Sequence, residues 1–209
     1  YPRPLCAWST AVARTARLPS PRLDPGGFVA AMDDLVRVEE VQSVVVCGEE
    51  VLAVAPHADR WPNVWCGGPD EVSRLHDKGL FAEELAPLPV QGTRPPRTWR
   101  DPDVGVAAAR IVKPRRGRFG DGVRVVSAGV AIRLGEDEII QEYVVGEERS
   151  SLSWARDGAL LGHVVYRPLA RFPLGPSFAI APVDGPSATE RFAAAVAAPG
   201  LLRRRSVSV

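Results

Sequence analysis

The 209-residue sequence predicts a mixed α/β (α+β) fold built in two parts. Its first half alternates short β-branched runs with helical segments, which is the pattern of an α/β layer. Its second half holds closely spaced strand-like runs joined by glycine-containing loops, which is the pattern of an antiparallel sheet. Between the halves, residues 87–102 are rich in proline, arginine and threonine, and this places the predicted domain boundary near residue 90.

The first half is predicted to contain helices alternating with short strands. The helices begin at residues that cap helix N-termini, Asp24 followed by Pro25 for the first helix and Asp70 for the last. The strands are short apolar runs that end at glycine-containing loops, which fits parallel pairing. The predicted elements are a helix over 24–41, a strand over Val44–Val46, a helix over Glu49–Val54, a strand over Val64–Cys66 and a helix over Asp70–Leu85.

The second half is predicted to be mainly antiparallel strands. Residues 112–126 are expected to pair as a hairpin around a glycine-rich loop. The predicted strands are Arg110–Lys113, Val123–Val126, Val130–Leu134, Ile139–Val144, Leu160–Tyr166 and Phe178–Ala181, and a helix over Ala188–Ala198 follows them.

The composition excludes several classes of partner. The 26 basic and 25 acidic side chains are mixed along the chain and give a formal net charge of +1, so neither nucleic acid nor an anionic membrane is indicated. The three cysteines are widely spaced and lack histidines at zinc-ligand spacing, so they are interpreted as reduced thiols of a cytoplasmic protein. Because the chain begins at Tyr1 in a segment rich in proline and arginine, further upstream sequence is expected.

Lysine is rare in this chain, since only Lys78 and Lys113 occur among the 26 basic residues. A compact ammonium serves as a point charge for phosphate, whereas guanidinium favours planar, bidentate partners. Chance survival of two lysines in an arginine-biased sequence is about as good an explanation. Both lysines, however, lie in segments that other features single out.

The segment Ile111–Val123 combines a strand, Lys113, a loop with three glycines and a second strand. Glycines allow backbone N–H groups to approach an anion closely, and the lysine adds a point charge, so such a loop suits phosphate. The segment matches neither the dinucleotide fingerprint nor the eight-residue phosphate-loop motif. Taken alone, it is more often an ordinary hairpin.

Two further segments carry charged groups near predicted strand or helix ends. In Glu138–Glu148 an apolar strand runs into acids on both sides of a glycine; strand-end backbone groups can bind the edge of adenine, and a carboxylate can accept hydrogen bonds from ribose. The alternative is an exposed hairpin with solvated acids. In Leu75–Lys78, the pair Asp77 and Lys78 is also explained as an ordinary solvated helix pair.

The order of these segments resembles the ATP-grasp superfamily: an α/β domain, an "HDK" helix, a "VKP" strand, a Gly-rich loop and a "QEYV.GEE" hinge. The resemblance extends from about residue 22 to about residue 183 and includes a later "HVVYRP". It implies part of a Rossmann-like pre-ATP-grasp domain over 1–90 and an ATP-grasp domain over 91–209. The first lobe would cover about 91–140 and the second about 141–209.

The resemblance also implies roles for individual residues. Lys113 would contact the nucleotide phosphates, Lys78 would lie near the nucleotide cleft, and Glu148 would meet the ribose. Arg167 would face the acyl phosphate or the acceptor. The residues expected to fold over the phosphates are Gly117, Arg118, Phe119, Gly120 and Gly122, and those expected to line the adenine slot are Glu142, Tyr143 and Val144.

The implied reaction is ATP-dependent ligation of a small-molecule carboxylate to an amine or similar nucleophile through an acyl phosphate, with ATP and Mg²⁺ as cofactors. Members of the family complete the metal site with an acidic residue and a Glu-x-Asn on late strands. Here the acids after Glu148 are Asp157, Asp184 and Glu190, and the only asparagine is Asn63, so the metal ligands are expected beyond the end of a truncated chain.

Three functions remain open: a carboxylate–amine ligase, a nucleotide-binding but inactive protein, and a structural α/β module. A homodimer is left open as an assembly.

Overall fold

The computed structural model describes residues 5–88, 90–101, 107–118, 120–172, 177–184 and 187–198. Helices and strands occur together in this part of the chain, so the predicted mixed α and β fold class is confirmed. By its contacts the chain divides into two compact units, Tyr1–Ser73 and Arg74–Val209. The division into domains near residue 90 stays a prediction.

The first unit is a small α/β arrangement around one apolar cluster. Asp24 caps the first helix as predicted, because its side chain accepts a hydrogen bond of 2.8 Å from the amide of Gly27. The two strands pair in parallel, with Val44 opposite Val64. The elements are a 3-10 turn at Leu5–Trp8, α1 (Pro25–Val38), β1 (Val44–Val45), α2 (Val51–Val54), a 3-10 helix at Ala55–Arg60 and β2 (Val64–Trp65). The buried residues of the cluster are Phe28, Met32, Val54 and Trp61.

The helix α3 (Pro69–His76) leads from the first unit into the second, where α4 (Lys78–Leu85) follows. The sequence predicted one helix here, and that prediction is wrong. Asp77 lies between the two helices and has an extended backbone (φ −76°, ψ 109°), which ends α3. Its carboxylate caps the N-terminus of α4.

The second unit contains two antiparallel sheets. The four-stranded sheet has the order β3 (Thr98–Trp99), β6 (Glu138–Glu142), β4 (Arg110–Pro114) and β5 (Arg124–Val126). The predicted hairpin is confirmed, since Val112 lies opposite Arg124 across β4 and β5. Val112, Ile139 and Ile140 are buried to within 1% of their surface, so the centre of this sheet is packed on both faces.

The three-stranded sheet has the order β7 (Ser150–Arg156), β8 (Ala159–Arg171) and β9 (Ser177–Val183), and the helix α5 (Ser187–Ala197) follows. One predicted strand is wrong and one observed strand was missed. Residues 130–134 form no strand; the chain turns at Ser127–Val130 and these residues do not pair with β5, although β5 lies at the edge of the sheet. The strand β7 was not predicted, since its three serines dilute the apolar pattern.

The three cysteines lie in the described part of the chain and are free thiols. None of the described helices combines the length and apolar character needed to cross a membrane.

Candidate functional site

The two lysines of the chain lie near each other in the second unit. Lys113 is the fourth residue of β4, and its ammonium donates a hydrogen bond of 2.6 Å to Oε1 of Gln141. Lys78 is the first residue of α4, and its ammonium donates a hydrogen bond of 2.7 Å to the carbonyl of Gly117. Burial lowers the pKa of Lys113, and the positive charge of Lys78 lowers this pKa further. Two segments far apart in sequence therefore place two cations at one site.

The glycine-rich loop begins where these lysines meet. It turns tightly, because the amide of Asp121 donates to the carbonyl of Arg118 (3.1 Å) and the amide of Val123 donates to that of Gly120 (3.1 Å). Gly120 and Gly122 have φ values of +75° and +69°, a region that favours glycine. Phe119 lies outside the described residues.

Asp77 holds the start of this loop against α4. Its carboxylate is fully buried and accepts hydrogen bonds from the amides of Gly79 (2.9 Å) and Leu80 (3.1 Å), and from the guanidinium of Arg115 (3.1 and 2.7 Å). The next amide, that of Lys78, donates to the carbonyl of Arg115 (3.0 Å). Asp77 is therefore a structural anchor of the loop and not one half of a solvated pair.

The protonation of Asp77 follows from these contacts. Burial alone would raise the pKa of its carboxyl group. The hydrogen bonds from Arg115 and from the amides of Leu80 and Gly79 outweigh that effect and hold the pKa of Asp77 below its ordinary value. The group is thus a charged carboxylate at neutral pH, paired with a guanidinium whose pKa is raised in return.

The predicted adenine-binding segment begins at the end of β6. The carboxylate of Glu142 accepts two hydrogen bonds from Arg94 (2.7 and 2.8 Å) and one from the amide of Arg97 (3.2 Å), and these lower its pKa to about 2. Tyr143 and Val144 follow and are exposed to 43% and 61%. The Glu142 carboxylate therefore holds the preceding connection in place and is not available as a free acceptor.

The other predicted site residues belong to the three-stranded sheet and the chain leading into it. Glu148 precedes β7 and forms an ion pair with Arg171 at the end of β8. Arg167 is exposed on β8, where it lies opposite Ala181 of β9. These residues are thus carried by a different sheet from that of Lys113, and their proposed roles toward ribose and acyl phosphate stay predictions.

The acids of β6 are committed to arginines. Glu138 pairs with Arg124, whose hydrogen bond lowers the pKa of the carboxyl group, and Glu142 pairs with Arg94. In the part of the chain that the structure describes, no three His, Cys, Asp or Glu side chains lie close enough together to hold a metal ion. Glu138 and Glu142 therefore do not fit a magnesium site.

Comparison with solved structures finds similarity to a ligase. D-alanine–D-alanine ligase from Bacillus anthracis matches over 78% of this chain and 62% of its own, with 14% sequence identity and a TM-score of 0.48. The chain therefore spans less than two thirds of that ligase. A likeness of this degree says nothing about activity. No protein-family model matches the chain, and no curated protein matches it.

Sequence reasoning missed three residues that organise the site: Asp77 as an anchor, Arg94 as the partner of Glu142, and Gln141. For Gln141 the register of β4 and β6 is needed, and the sequence does not give it. In a strand, alternate residues share a face, and Lys113 lies opposite Ile139 across β4 and β6. Gln141, two residues from Ile139, is therefore on the face of Lys113. For Asp77 and Arg94 the partners are 38 and 48 residues away, and no local pattern indicates them.

Proposed function

We propose that this chain is an ATP-binding protein of the ATP-grasp type, which serves the ligation of a carboxylate to an amine through an acyl phosphate. The observation that carries the proposal is the meeting of Lys78 and Lys113 at the glycine-rich loop. Two neighbouring ammonium groups repel each other, and burial adds to the cost of charging Lys113. A polyanion bound between them would reverse both effects, and the phosphates of a nucleotide supply that charge.

The loop suits the same ligand. The loop turns tightly at Gly120 and Gly122, and successive backbone amides in glycine-rich turns can bind anions. The ion pair between Asp77 and Arg115 fixes the residues that precede the loop, so the start of the loop is held in place without a ligand. A preformed cradle lowers the entropy lost on binding.

In the proposed reaction, a carboxylate oxygen of the substrate attacks the γ-phosphorus of ATP and ADP leaves. The amine then attacks the acyl carbon of the resulting acyl phosphate, inorganic phosphate leaves with the electron pair of the broken C–O bond, and the nitrogen releases a proton to solvent. Lys113 and Lys78 would neutralise negative charge on the transferred group, which is the main contribution a protein makes to phosphoryl transfer. Arg167 would face the acyl phosphate if the two sheets enclose the substrates.

Binding of ATP, ADP and adenosine, with and without magnesium, tests the proposal by calorimetry. Replacing Lys113 with Ala should weaken ATP binding by about 1–3 kcal/mol, the usual loss for a charged hydrogen bond, and should leave adenosine binding unchanged. Arg37→Ala on α1 is the matched control, since that arginine forms only an exposed pair with Asp34. An unchanged preference for ATP over adenosine in the Lys113 variant would remove this lysine from the site.

A second function, nucleotide binding without turnover, is favoured by the commitment of Glu138 and Glu142 to arginines. If it is correct, the purified chain binds ATP, while phosphate release stays at background with any mixture of amino-acid or peptide carboxylates. Magnesium-dependent ADP formation that carboxylates stimulate would exclude this alternative and would indicate that other acids, such as Asp157 or Asp184, serve the metal.

A further inference from the structure

We propose that Thr98 and Gln141 are positioning residues, which together fix the direction in which the Lys113 ammonium points. Neither residue was expected at the site from the sequence. The arrangement of Lys113 is independent of what binds there, whereas its consequence for ATP rests on the proposed function.

A continuous set of hydrogen bonds links the three side chains. Lys113 Nζ donates to Gln141 Oε1 (2.6 Å), Gln141 Nε2 donates to Thr98 Oγ1 (3.0 Å), and Thr98 Oγ1 donates to the carbonyl of Pro96 (3.2 Å). A hydroxyl has one hydrogen to donate. Because Thr98 gives that hydrogen to Pro96, its oxygen can only accept from Gln141.

This set of bonds determines the orientation of the Gln141 amide. If the amide were reversed, its NH₂ group would face the Lys113 ammonium, and its carbonyl would face the Thr98 oxygen. The NH₂ group and the ammonium are both donors and cannot bond to each other. The carbonyl could accept from Thr98 only if the Thr98 hydroxyl gave up its hydrogen bond to Pro96. The observed orientation is therefore the one in which every group of the set has a complementary partner.

Backbone pairing also holds these three side chains in place. Thr98 lies directly opposite Gln141 in the pairing of β3 with β6. The next residue, Glu142, is held by Arg94, and its amide donates to the carbonyl of Arg97 (2.9 Å). These contacts attach the chain before Thr98, and Trp99 after it lies opposite Ile140, so the hydroxyl has little freedom to move.

A neutral partner suits a lysine that must bind an anion. A carboxylate at the position of Gln141 would hold Lys113 equally well, but it would neutralise the charge and compete with phosphate. The amide oxygen directs the ammonium and leaves its positive charge uncompensated. The two effects that act on the pKa of Lys113, burial and the charge of Lys78, both lower it, as expected for a cation without a carboxylate beside it.

The composition of the chain makes the test direct. Protein labelled with ¹³C-lysine gives side-chain signals from Lys78 and Lys113 alone, so the titration of each is followed separately by NMR. Thr98→Val removes the hydroxyl while keeping the branched shape, and Thr98→Ser keeps the hydroxyl and serves as the matched control. In Thr98→Val the Gln141 amide loses its fixed orientation, so the titration midpoint of Lys113 should fall. The midpoint of Lys78 should not fall, because a Lys113 that loses its proton at lower pH repels the Lys78 ammonium less.

The Thr98→Ser variant should titrate as the parent protein does. If Thr98→Val leaves the Lys113 midpoint unchanged, the proposal is wrong. Should Thr98→Val not fold, Gln141→Met, which keeps the length of the side chain without the amide, takes its place with the same expected fall.

Binding of ATP by the same variants separates this proposal from the proposed function. We expect Thr98→Val to bind ATP about 3–10-fold more weakly than the parent, as for the loss of one well-placed hydrogen bond, with adenosine unaffected. A lowered Lys113 midpoint with unchanged ATP affinity would retain the positioning role and would overturn the consequence for ATP. Unchanged midpoints together with weakened ATP binding would overturn the positioning role.

Discussion

The anchor at Asp77 gives the sharpest prediction about stability. Its carboxylate is fully buried and accepts hydrogen bonds from two backbone amides and from Nε and Nη2 of the Arg115 guanidinium. Removing one partner of a buried ion pair costs about 3–5 kcal/mol, and removing a helix cap costs about 1 kcal/mol. Because the Arg115 side chain keeps 22% of its exposure, water can rehydrate its charge, so the lower end of that range applies.

We therefore expect Asp77→Ala to lower the free energy of unfolding of the second unit by about 3–4 kcal/mol. Asp77→Asn, which keeps a good capping side chain and loses the charge, should cost about 2 kcal/mol. These are large fractions of the total stability of a domain, so the Asn variant is the safer one to prepare.

Hydrogen exchange of the amides of β4 and β6 measures this effect best. These strands belong to the same compact unit as Asp77, so their opening reports on that unit even if the first unit unfolds separately. Asp34→Asn is the control, because its pair with Arg37 is more than 70% exposed on both sides and should contribute less than about 0.5 kcal/mol. Protection in Asp77→Ala within about 0.5 kcal/mol of the parent would refute the reasoning.

The same anchor should be sensitive to acid. The folded protein holds the pKa of Asp77 below its ordinary value of 3.8, so the contribution of the carboxylate is fully present above that pH. This stabilisation is lost as the pH falls from 3.8 through the lower pKa of Asp77 in the folded protein. In that range the unfolded chain holds a proton on Asp77 that folding must release. The stability difference between the parent and Asp77→Asn should therefore shrink below pH 3.8.

The loop, the clamp on the predicted hinge and the predicted ribose contact each give an expected outcome. Gly122→Ala, where an added methyl would lie 2.8 Å from a neighbouring proline, should destabilise the hairpin more than Gly129→Ala, which has a similar φ and open space; urea unfolding that ranks them equally would contradict this. In Arg94→Ala, the pKa of Glu142 should rise from about 2 toward 4.5, and an unshifted carboxyl titration by NMR would show that Arg94 is not its main partner. Glu148→Gln should lose any preference for ATP over a dideoxy analogue. If the variant binds ATP and the analogue with the same affinities as the parent protein, Glu147 becomes the alternative ribose contact.

Local pattern predicted the elements whose structure depends on neighbours in sequence. The helix α1 follows from the cap at Asp24 and its apolar face, and the hairpin of β4 and β5 follows from two β-branched runs around glycines. Residues 130–134 have a similar apolar character and form no strand, although β5 offers an edge, because β-propensity is decided by packing and pairing that the local sequence does not reveal. The break at Asp77 was missed for a related reason, since a capping aspartate inside an apolar helical pattern looks like a surface residue until its distant partner is known.

At the site, too, some residues are recognisable from the local sequence, and others are placed there by contacts between distant parts of the chain. Lys113, Lys78 and the glycines could be identified because rarity and spacing mark them in the sequence. Their surroundings could not, since Gln141, Thr98 and Arg94 act through contacts made across strands. Residues that would contact a ligand are recognised by their charge or their glycine character. The residues that orient them are neutral or already paired, and nothing in their type marks them. Glu142 illustrates the limit, because it was selected as a nucleotide-lining residue and its carboxylate is bound by Arg94.

Lys113 differs from three arginines of the second unit in its hydrogen-bond partner, and this difference favours a lysine at position 113. Arg94, Arg115 and Arg124 each bind a carboxylate through two nitrogen–oxygen contacts, which uses the planar geometry of guanidinium and neutralises both groups. Lys113 instead has a single neutral amide as its hydrogen-bond partner. A guanidinium binds best to two acceptors in one plane, and Gln141 offers one. The arginines thus assemble the scaffold, and the lysine keeps a charge that the scaffold directs without cancelling it.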